Sequence, residues 1–476
     1  MTAFFAIVKL TIRSAVRSHV FRLLLFLLLL GIFLLPFTLL GDGTPKGDVQ
    51  IFLQYCLGFA EFTLCLSSVW LACSEISSDV ETAQIHMIVV KPVRRAVVLL
   101  GKYAGVVLIH LALLLIAAVT VYCFLSFRLA SSDFSEEDRM LLEEQVLTAR
   151  VVYPPERPDF NALAQQELDR RIALAREHGQ DMLQYEDNQS RQQKFLEIRK
   201  ELIATAGLIS EDETLFWEFK GLPKNLTDDD VIFMRYTIYA NRYYVQDQNT
   251  IRGHWIFAVN YVRPDDNGAE TVVTDLMALP EDDFITATRS EIPVPIRPSY
   301  FIYDGEARVG FLNKDVRSDL NFEEGKGPFL MVREAGFFSN YCRTVLVMAI
   351  GILSITLLAS AVAACLSLPI AIFFSAAYLI VGTLAHYLVT SIPDSLDFQS
   401  DFTGTFGYRF GDLLLNLVVP IQDFFVTGYL ANGELVSFPF IGILFAKDFL
   451  LRMLPVFLLG AWIYTRRELA LVSKRG

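Results

Sequence analysis

Six apolar stretches separated by polar sequence set the pattern of this chain: Val20–Leu40, Ile51–Ala72, Val97–Phe127, Thr344–Leu366, Ile370–Thr390 and about Ile441–Tyr464. A helix rises about 1.5 Å per residue, so roughly 20 apolar residues cross the 30 Å or so of bilayer hydrocarbon. The pattern therefore predicts six transmembrane helices. The first stretch is too long and leucine-rich for a cleaved signal, and no small-residue cleavage site follows it. Pro369 separates the fourth from the fifth, and Lys447, Asp448 and Arg452 interrupt the sixth. Gly411–Leu430 is apolar but broken by Pro420, Gln422 and Asp423, which predicts a re-entrant segment within 411–440 rather than a further span.

Between the third and fourth stretches the texture changes twice. Residues 128–210 read as helical: Asp133 is a capping residue, Glu136, Glu137 and Asp138 suit a first turn, and Pro154, Pro155 and Pro158 break the run. Further helices are predicted over about Phe160–His178 and Gln189–Ala206. Residues 211–335 alternate apolar and polar positions in seven or so short runs parted by turn signals such as Asp265-Asp266-Asn267-Gly268, which reads as a β-sandwich. The expected fold class is a polytopic α-helical membrane protein of six transmembrane helices, with an extracytoplasmic α+β domain between helices three and four. That domain is a helical arm followed by a β-sandwich. The expected parts are 1–127, 128–335 and 336–476.

Charge orients this arrangement. Lys9, Arg13, Arg17 and Arg22 precede the first span, Lys91, Arg94, Arg95 and Lys102 lie between the second and third, and Arg466, Arg467, Lys474 and Arg475 follow the sixth. With six spans all three groups fall on one side, which the positive-inside rule makes cytoplasmic. Residues 128–334 carry 39 Asp and Glu against 24 Lys and Arg, within a chain of 53 against 41, so the acidity belongs to the outer domain. Lys9, Arg13 and Arg17 recur every four residues, which places them on one face of an amphipathic elbow, Met1–Ser18, toward anionic lipid heads or a partner.

Candidate chemistry is sparse. The chain has no G-x-x-x-x-G-K-[ST] phosphate loop and no H-E-x-x-H, and its six histidines are scattered. Cys56, Cys65, Cys73, Cys123, Cys342 and Cys365 lie in or beside the spans without metal-ligand spacing, so they read as small packing residues and no disulfide is available to the outer domain. No catalytic, cofactor or metal site is expected, and no nucleic-acid partner. Ionisable groups inside a membrane are costly and mark function by default. Glu61 and His110 lie about ten residues into the second and third stretches, and they either pair, line a translocation path or make one buried hydrogen bond.

The segment between the second and third stretches is the most distinctive. It passes from Glu75, Asp79 and Glu81 through Gln84 to Lys91-Pro92, Arg94, Arg95 and Gly101-Lys102-Tyr103. Pro92 ends a helix and biases Lys91 away from helical geometry. This order resembles the hallmark loop of ABC-2 type transporter permeases, although Gln84 stands where relatives commonly carry Thr. Leu366-Ser367-Leu368-Pro369-Ile370-Ala371, Val418-Val419-Pro420-Ile421-Gln422-Asp423-Phe424-Phe425 and Arg466-Arg467-Glu468-Leu469 are similar to the family's later motifs, and Gly336–Arg343 resembles the re-entry of relatives with a large outer insert. The likeness covers about 1–127 and 336–476. It implies a non-catalytic membrane subunit in a bacterial cytoplasmic membrane, working as a homodimer or with a similar permease. ATP and Mg would be held by a separate cytoplasmic ATPase. That ATPase would grip a coupling helix at about Ile76–Val90, with Glu75, Asp79, Glu81, Gln84, Lys91, Pro92, Arg94, Arg95 and Lys102 as the docking residues. Three functions stay open: export or membrane extraction of a substrate; mechanical control of an envelope partner through the outer domain without substrate crossing; and a membrane-anchored sensor or scaffold.

Overall fold

A computed structural model describes residues 2–38, 43–81, 93–131, 134–178, 188–242, 250–264, 270–315, 318–323, 325–391 and 419–466. The chain divides into two compact units, Met1–Ala149 with Ala335–Gly476, and Arg150–Glu334.

The first unit is helical. Helices α1 (Thr2–Arg17), α2 (His19–Thr38), α3 (Pro45–Glu81), α4 (Arg95–Ser131) and α5 (Glu136–Gln145) come from the N-terminal part. Ser135 caps α5 by accepting from the amide of Asp138, and Glu136, Glu137 and Asp138 fill its first turn. Among the described residues three helices are long and apolar enough to cross a membrane: α3 over Pro45–Ser77, α4, and Phe337–Cys365. The apolar pair α1 and α2 would count as a fourth if taken as one span, but it bends by 71°. The expected fifth stretch forms a helix over Leu368–Ser391, of which Leu368–Leu384 is a shorter apolar piece. The sixth is broken into Phe438–Leu444, a π-helix at Phe445–Met453 and Leu454–Arg466. The π segment is where Lys447, Asp448 and Arg452 fall, and Asp448 Oδ1 accepts from Arg452 at 2.7 Å with both side chains largely buried. Within 411–440, residues 411–418 lie outside the described residues. A 3-10 turn, Ile421–Phe424, and a short helix, Thr427–Ala431, follow, and Ile421, Phe424 and Leu430 are buried in the same core as the long helices.

The second unit is rich in sheet. One sheet has the order β1-β12-β4-β9, a second β3-β10-β6-β7 with β8 also on β6, and a third β2-β11-β5. Here β1 is Thr148–Tyr153, β2 Leu208–Ile209, β3 Thr214–Phe219, β4 Ile232–Thr237, β5 Tyr239–Arg242 and β6 Thr250–Pro264. The remainder are β7 Glu270–Ala278, β8 Asp282–Ile285, β9 Arg289–Pro293, β10 Ala307–Asn313, β11 Ser318–Asn321 and β12 Phe329–Gly336. Residues from all three sheets share one core around Trp255, whose ring lies 4.8 Å from Phe311 and 4.9 Å from Tyr236. No cysteine lies in this unit, so packing holds it. Two helices, Phe160–Glu177 and Asn188–Thr205, form a separate pair around Leu168, Ile172 and Ile198. Arg171 of the first bonds Glu201 of the second, and hydrogen bonds from Arg170 and Arg171 hold the Glu167 carboxyl down at about 2.

Two expectations need correcting. Residues 128–210 are not wholly helical: Thr148–Tyr153, with β-branched Thr148, Val151 and Val152, forms β1 beside β12 before the prolines. The expected boundary at 128 falls inside α4, which runs on to Ser131, and Leu142 and Val146 pack into the core of the helical unit, so the second unit starts only at Arg150.

β4 is buried at all six positions, and one of them is Arg235. Its Nε donates to Glu291 on the facing strand at 2.6 Å, while Arg150 approaches the same carboxylate at 3.5 Å with 1% of its side chain exposed. Removing the shared carboxylate takes a close counter-charge from two buried cations, and breaking a buried pair of this kind costs about 3–5 kcal/mol. Glu291→Leu is expected to lower the thermal unfolding midpoint of the sheet-rich unit markedly, as read by near-ultraviolet circular dichroism. Asp304→Asn, at the exposed Lys224 pair, should leave it within error.

Candidate functional site

The residues singled out for docking and for a path converge on α3 and α4. These helices are 37 residues each, about 55 Å at 1.5 Å per residue, so each extends well past the hydrocarbon. The expected separate coupling helix at Ile76–Val90 does not begin at Ile76. α3 continues through Glu81 without a break, because Ile76 is buried and the Ser77 hydroxyl lies 3.4 Å and 3.5 Å from the carbonyl oxygens of Ala363 and Leu366. Asp79 and Glu81 close this helix. Gln84, Lys91 and Pro92 lie outside the described residues.

Across this gap the two helices are tied. Lys102 is only 5% exposed, and its Nζ donates to the backbone carbonyl of Glu75. A buried ammonium needs such acceptors. Lys102 is therefore turned into the bundle rather than out toward a docking surface. Arg94 is exposed, and Arg95 reaches the carbonyl of Thr465 at 3.4 Å, so the base of α4 also touches the helix Leu454–Arg466.

α1 lies against α4 along Gly101 and Gly105, four residues apart. A Cβ on Gly101 would meet Ile7 Cγ2 at 2.8 Å, and one on Gly105 would meet Thr11 Cβ at 2.7 Å. Small residues at this spacing let two helix backbones approach closely. Val8, Thr11 and Ala15 face this seam, while Phe5, Lys9, Leu10, Arg13 and Arg17 are exposed, so the expected basic face of the elbow is on its open side. The G-x-x-x-G spacing is visible in the sequence; its significance depended on knowing that α1 was the helix opposite.

Higher in the bundle, Glu61 and His110 are both fully buried, and they do not pair. His110 Nδ1 lies 2.8 Å from the carbonyl of Val106, which can only accept, so this nitrogen carries a proton. Nε2 lies 2.8 Å from the Ser67 hydroxyl, which also lies 3.0 Å from the carbonyl of Leu64. One hydroxyl proton faces two acceptors when the ring is neutral. The neighbouring ring of Phe21 is 6.2 Å away, edge-on. The Glu61 carboxyl oxygens have no hydrogen-bond partner among the described residues. Ser67 and Val106 were not anticipated: single hydroxyls and carbonyls in apolar helices carry no pattern. Among the described residues no group of three or more His, Cys, Asp or Glu is placed to hold a metal ion.

Comparison of the chain with protein-family models, with curated proteins and with solved structures finds no match.

The seam at α1 has a direct test. In a Thr11→Cys background, where the introduced thiol is buried, Gly105→Leu should force α1 off α4 and raise the rate of maleimide labelling at position 11 at least severalfold. Gly442→Leu, with open space around it, should not change that rate.

Proposed function

We propose that this protein is the membrane subunit of an ATP-binding cassette system of the ABC-2 type, driven by a separate cytoplasmic ATPase. The observation that carries the reading is the buried tie between Lys102 and the Glu75 carbonyl. It joins the two long helices that flank the segment resembling the family's docking loop, so a push on that segment would move α3 and α4 as a pair. In this reading both termini and the 75–96 loop are cytoplasmic. Six helices span the membrane, with 411–440 re-entrant from outside, and the sheet-rich unit lies outside. The exposed Arg94 and the acidic end of α3 would contact the ATPase, and Lys102 would stiffen the joint behind them. α1 would lie in the inner interface with Lys9, Arg13 and Arg17 toward anionic headgroups.

Reversing Glu75, Asp79 and Glu81 to Lys is expected to abolish co-purification with the partner ATPase subunit, while the variant still inserts and extracts as the wild type does. Undiminished complex yield would remove the docking assignment.

A second reading, mechanical transmission to the outer unit without substrate crossing, has its own support. β12 passes into the helix Phe337–Cys365 with no loop between Gly336 and Phe337. Glu61 and His110, the groups that would line a path, are sealed in packing. Here a Gly-Gly-Ser insertion after Gly336 should erase any ATP-dependent change in protease sensitivity of residues 150–334 and leave ATPase binding intact. Persistence of that change would count against transmission through this junction.

A further inference from the structure

The sheet-rich unit has a groove of about 520 Å³ beside β3, lined by Trp217, Phe216, Phe322 and Phe329 with Arg308 and Pro155 at its margins. That volume is in the range of ligand sites, roughly 300–1,000 Å³. β3 is the edge strand of its sheet, paired only with β10. Its free side is already in use at one point. The amide of Glu156 donates to the carbonyl of Glu218 at 2.7 Å, and Lys220 bonds the Glu156 carboxylate. Backbone groups alternate in direction along an antiparallel strand, so Glu218 marks Phe216 and Thr214 as the other residues whose N–H and C=O face away from β10. The segment that begins to pair there cannot continue. Pro154, Pro155 and Pro158 have no N–H to offer, and the ladder stops after one bond.

The side chains beside this open edge are prearranged. The Phe216 ring lies over Gly310, where a Cβ would come within 2.6 Å of it, and the Arg308 guanidinium stacks on the ring at 4.4 Å from its centroid. Arg308 faces Glu218 in register, yet it makes no ion pair among the described residues. Of the acids that line the groove, Glu156 pairs with Lys220 and Glu323 with Lys326, while Glu218, opposite Arg308, is exposed and lies within electrostatic reach of Lys220. The core side of the groove is aromatic, with Trp217 and Phe322 rings 4.8 Å apart. One side of the edge thus offers apolar contact and the other an exposed cation.

We propose that this edge binds an extended peptide segment by strand addition to β3, with apolar residues toward Trp217 and Phe322 alternating with residues that carry a carboxylate toward Arg308. Backbone pairing supplies the affinity and alternate side chains the selectivity. An aromatic platform alone would also suit a saccharide. The unpaired strand edge, and the single bond that the chain itself makes on it, point to a peptide backbone. This assignment holds whether or not an ATPase drives the membrane unit.

The test uses the full chain in nanodiscs and a fluorescein-labelled octapeptide of alternating valine and glutamate, read by fluorescence polarisation. Saturable binding with a dissociation constant on the order of micromolar is expected. N-methylation of the peptide at every second amide should abolish binding in one register and spare it in the other, because only one set of amides faces β3. Phe216→Pro, tolerated on an edge where the N–H faces outward, should weaken binding at least about tenfold. Arg308→Gln should weaken the glutamate peptide and leave a valine–threonine peptide unchanged. Equal binding by the two methylated registers would overturn strand addition, and it does so without altering the protein. Absence of saturable peptide binding would also overturn the proposal, as would binding of a β-1,4-linked oligosaccharide in its place.

Discussion

Close packing of α3 against α4 and against the helix Phe337–Cys365 is the contact on which the membrane unit rests. Among lipid chains, apolar side chains gain little by meeting one another, so helices associate through shape, small residues and scattered hydrogen bonds. All three occur here. Ser67 meets His110, Cys73 and Ser77 approach the carbonyl groups of Ala359 and Ala363, and the Tyr341 hydroxyl donates to the carbonyl of Ala118 at 2.7 Å. Ala359, Ala361, Ala363 and Ala364 of the helix Phe337–Cys365 are buried small residues. At one end Arg128 bonds Asp48, and toward the other Lys102 bonds Glu75, so each end of the α3–α4 pair is pinned by a charge-assisted contact.

The same constraint sets how these helices are tied together. Helices held by close contact move as bodies, not by continuous deformation. The Ser77 and Cys73 contacts tie α3 to the helix Phe337–Cys365, which follows β12 in the chain without a loop. The sheet-rich unit obeys different physics. Its core is an aromatic cluster around Trp255, and the ionic pairing of Arg235 and Arg150 with Glu291 is buried in its central strands. Burying charge there costs desolvation, offset only by good pairing geometry, and the pair joins β4 to β9, where Arg235 and Glu291 face each other in register.

Much of the helical layout was legible because a run of apolar residues has few alternatives. Ile51–Ala72 and Val97–Phe127 lie within membrane-length helices, and Thr344–Leu366 lies within a third except for its last residue, the C-cap Leu366. The chain's charge asymmetry separated an acidic middle from the rest. The strands from Thr214 onward were readable from alternation, whereas β1 was not, since the mixed run Thr148–Tyr153 before a proline pair is compatible with several structures. The length of α3 was misread for a related reason. Glu75, Asp79 and Glu81 look like the start of a new, solvated element, but Ile76 and Ser77 between them are held by the neighbouring helix.

By itself the sequence determined which segments are apolar enough to enter a membrane, where Pro92 and Pro369 interrupt the chain and which charges can lie near the helix ends, because these follow from composition and local backbone chemistry. Tertiary structure decided which charged residues are surface and which are internal ties. Lys102 and Arg94 are eight residues apart and equally basic, yet one is buried on a carbonyl and the other exposed, and only the position of α3 and α1 around α4 separates them. It likewise decided that Glu61 and His110, at similar depth in adjacent helices, do not meet. Helix rotation sets the direction of a side chain, and rotation is chosen by packing across the whole bundle.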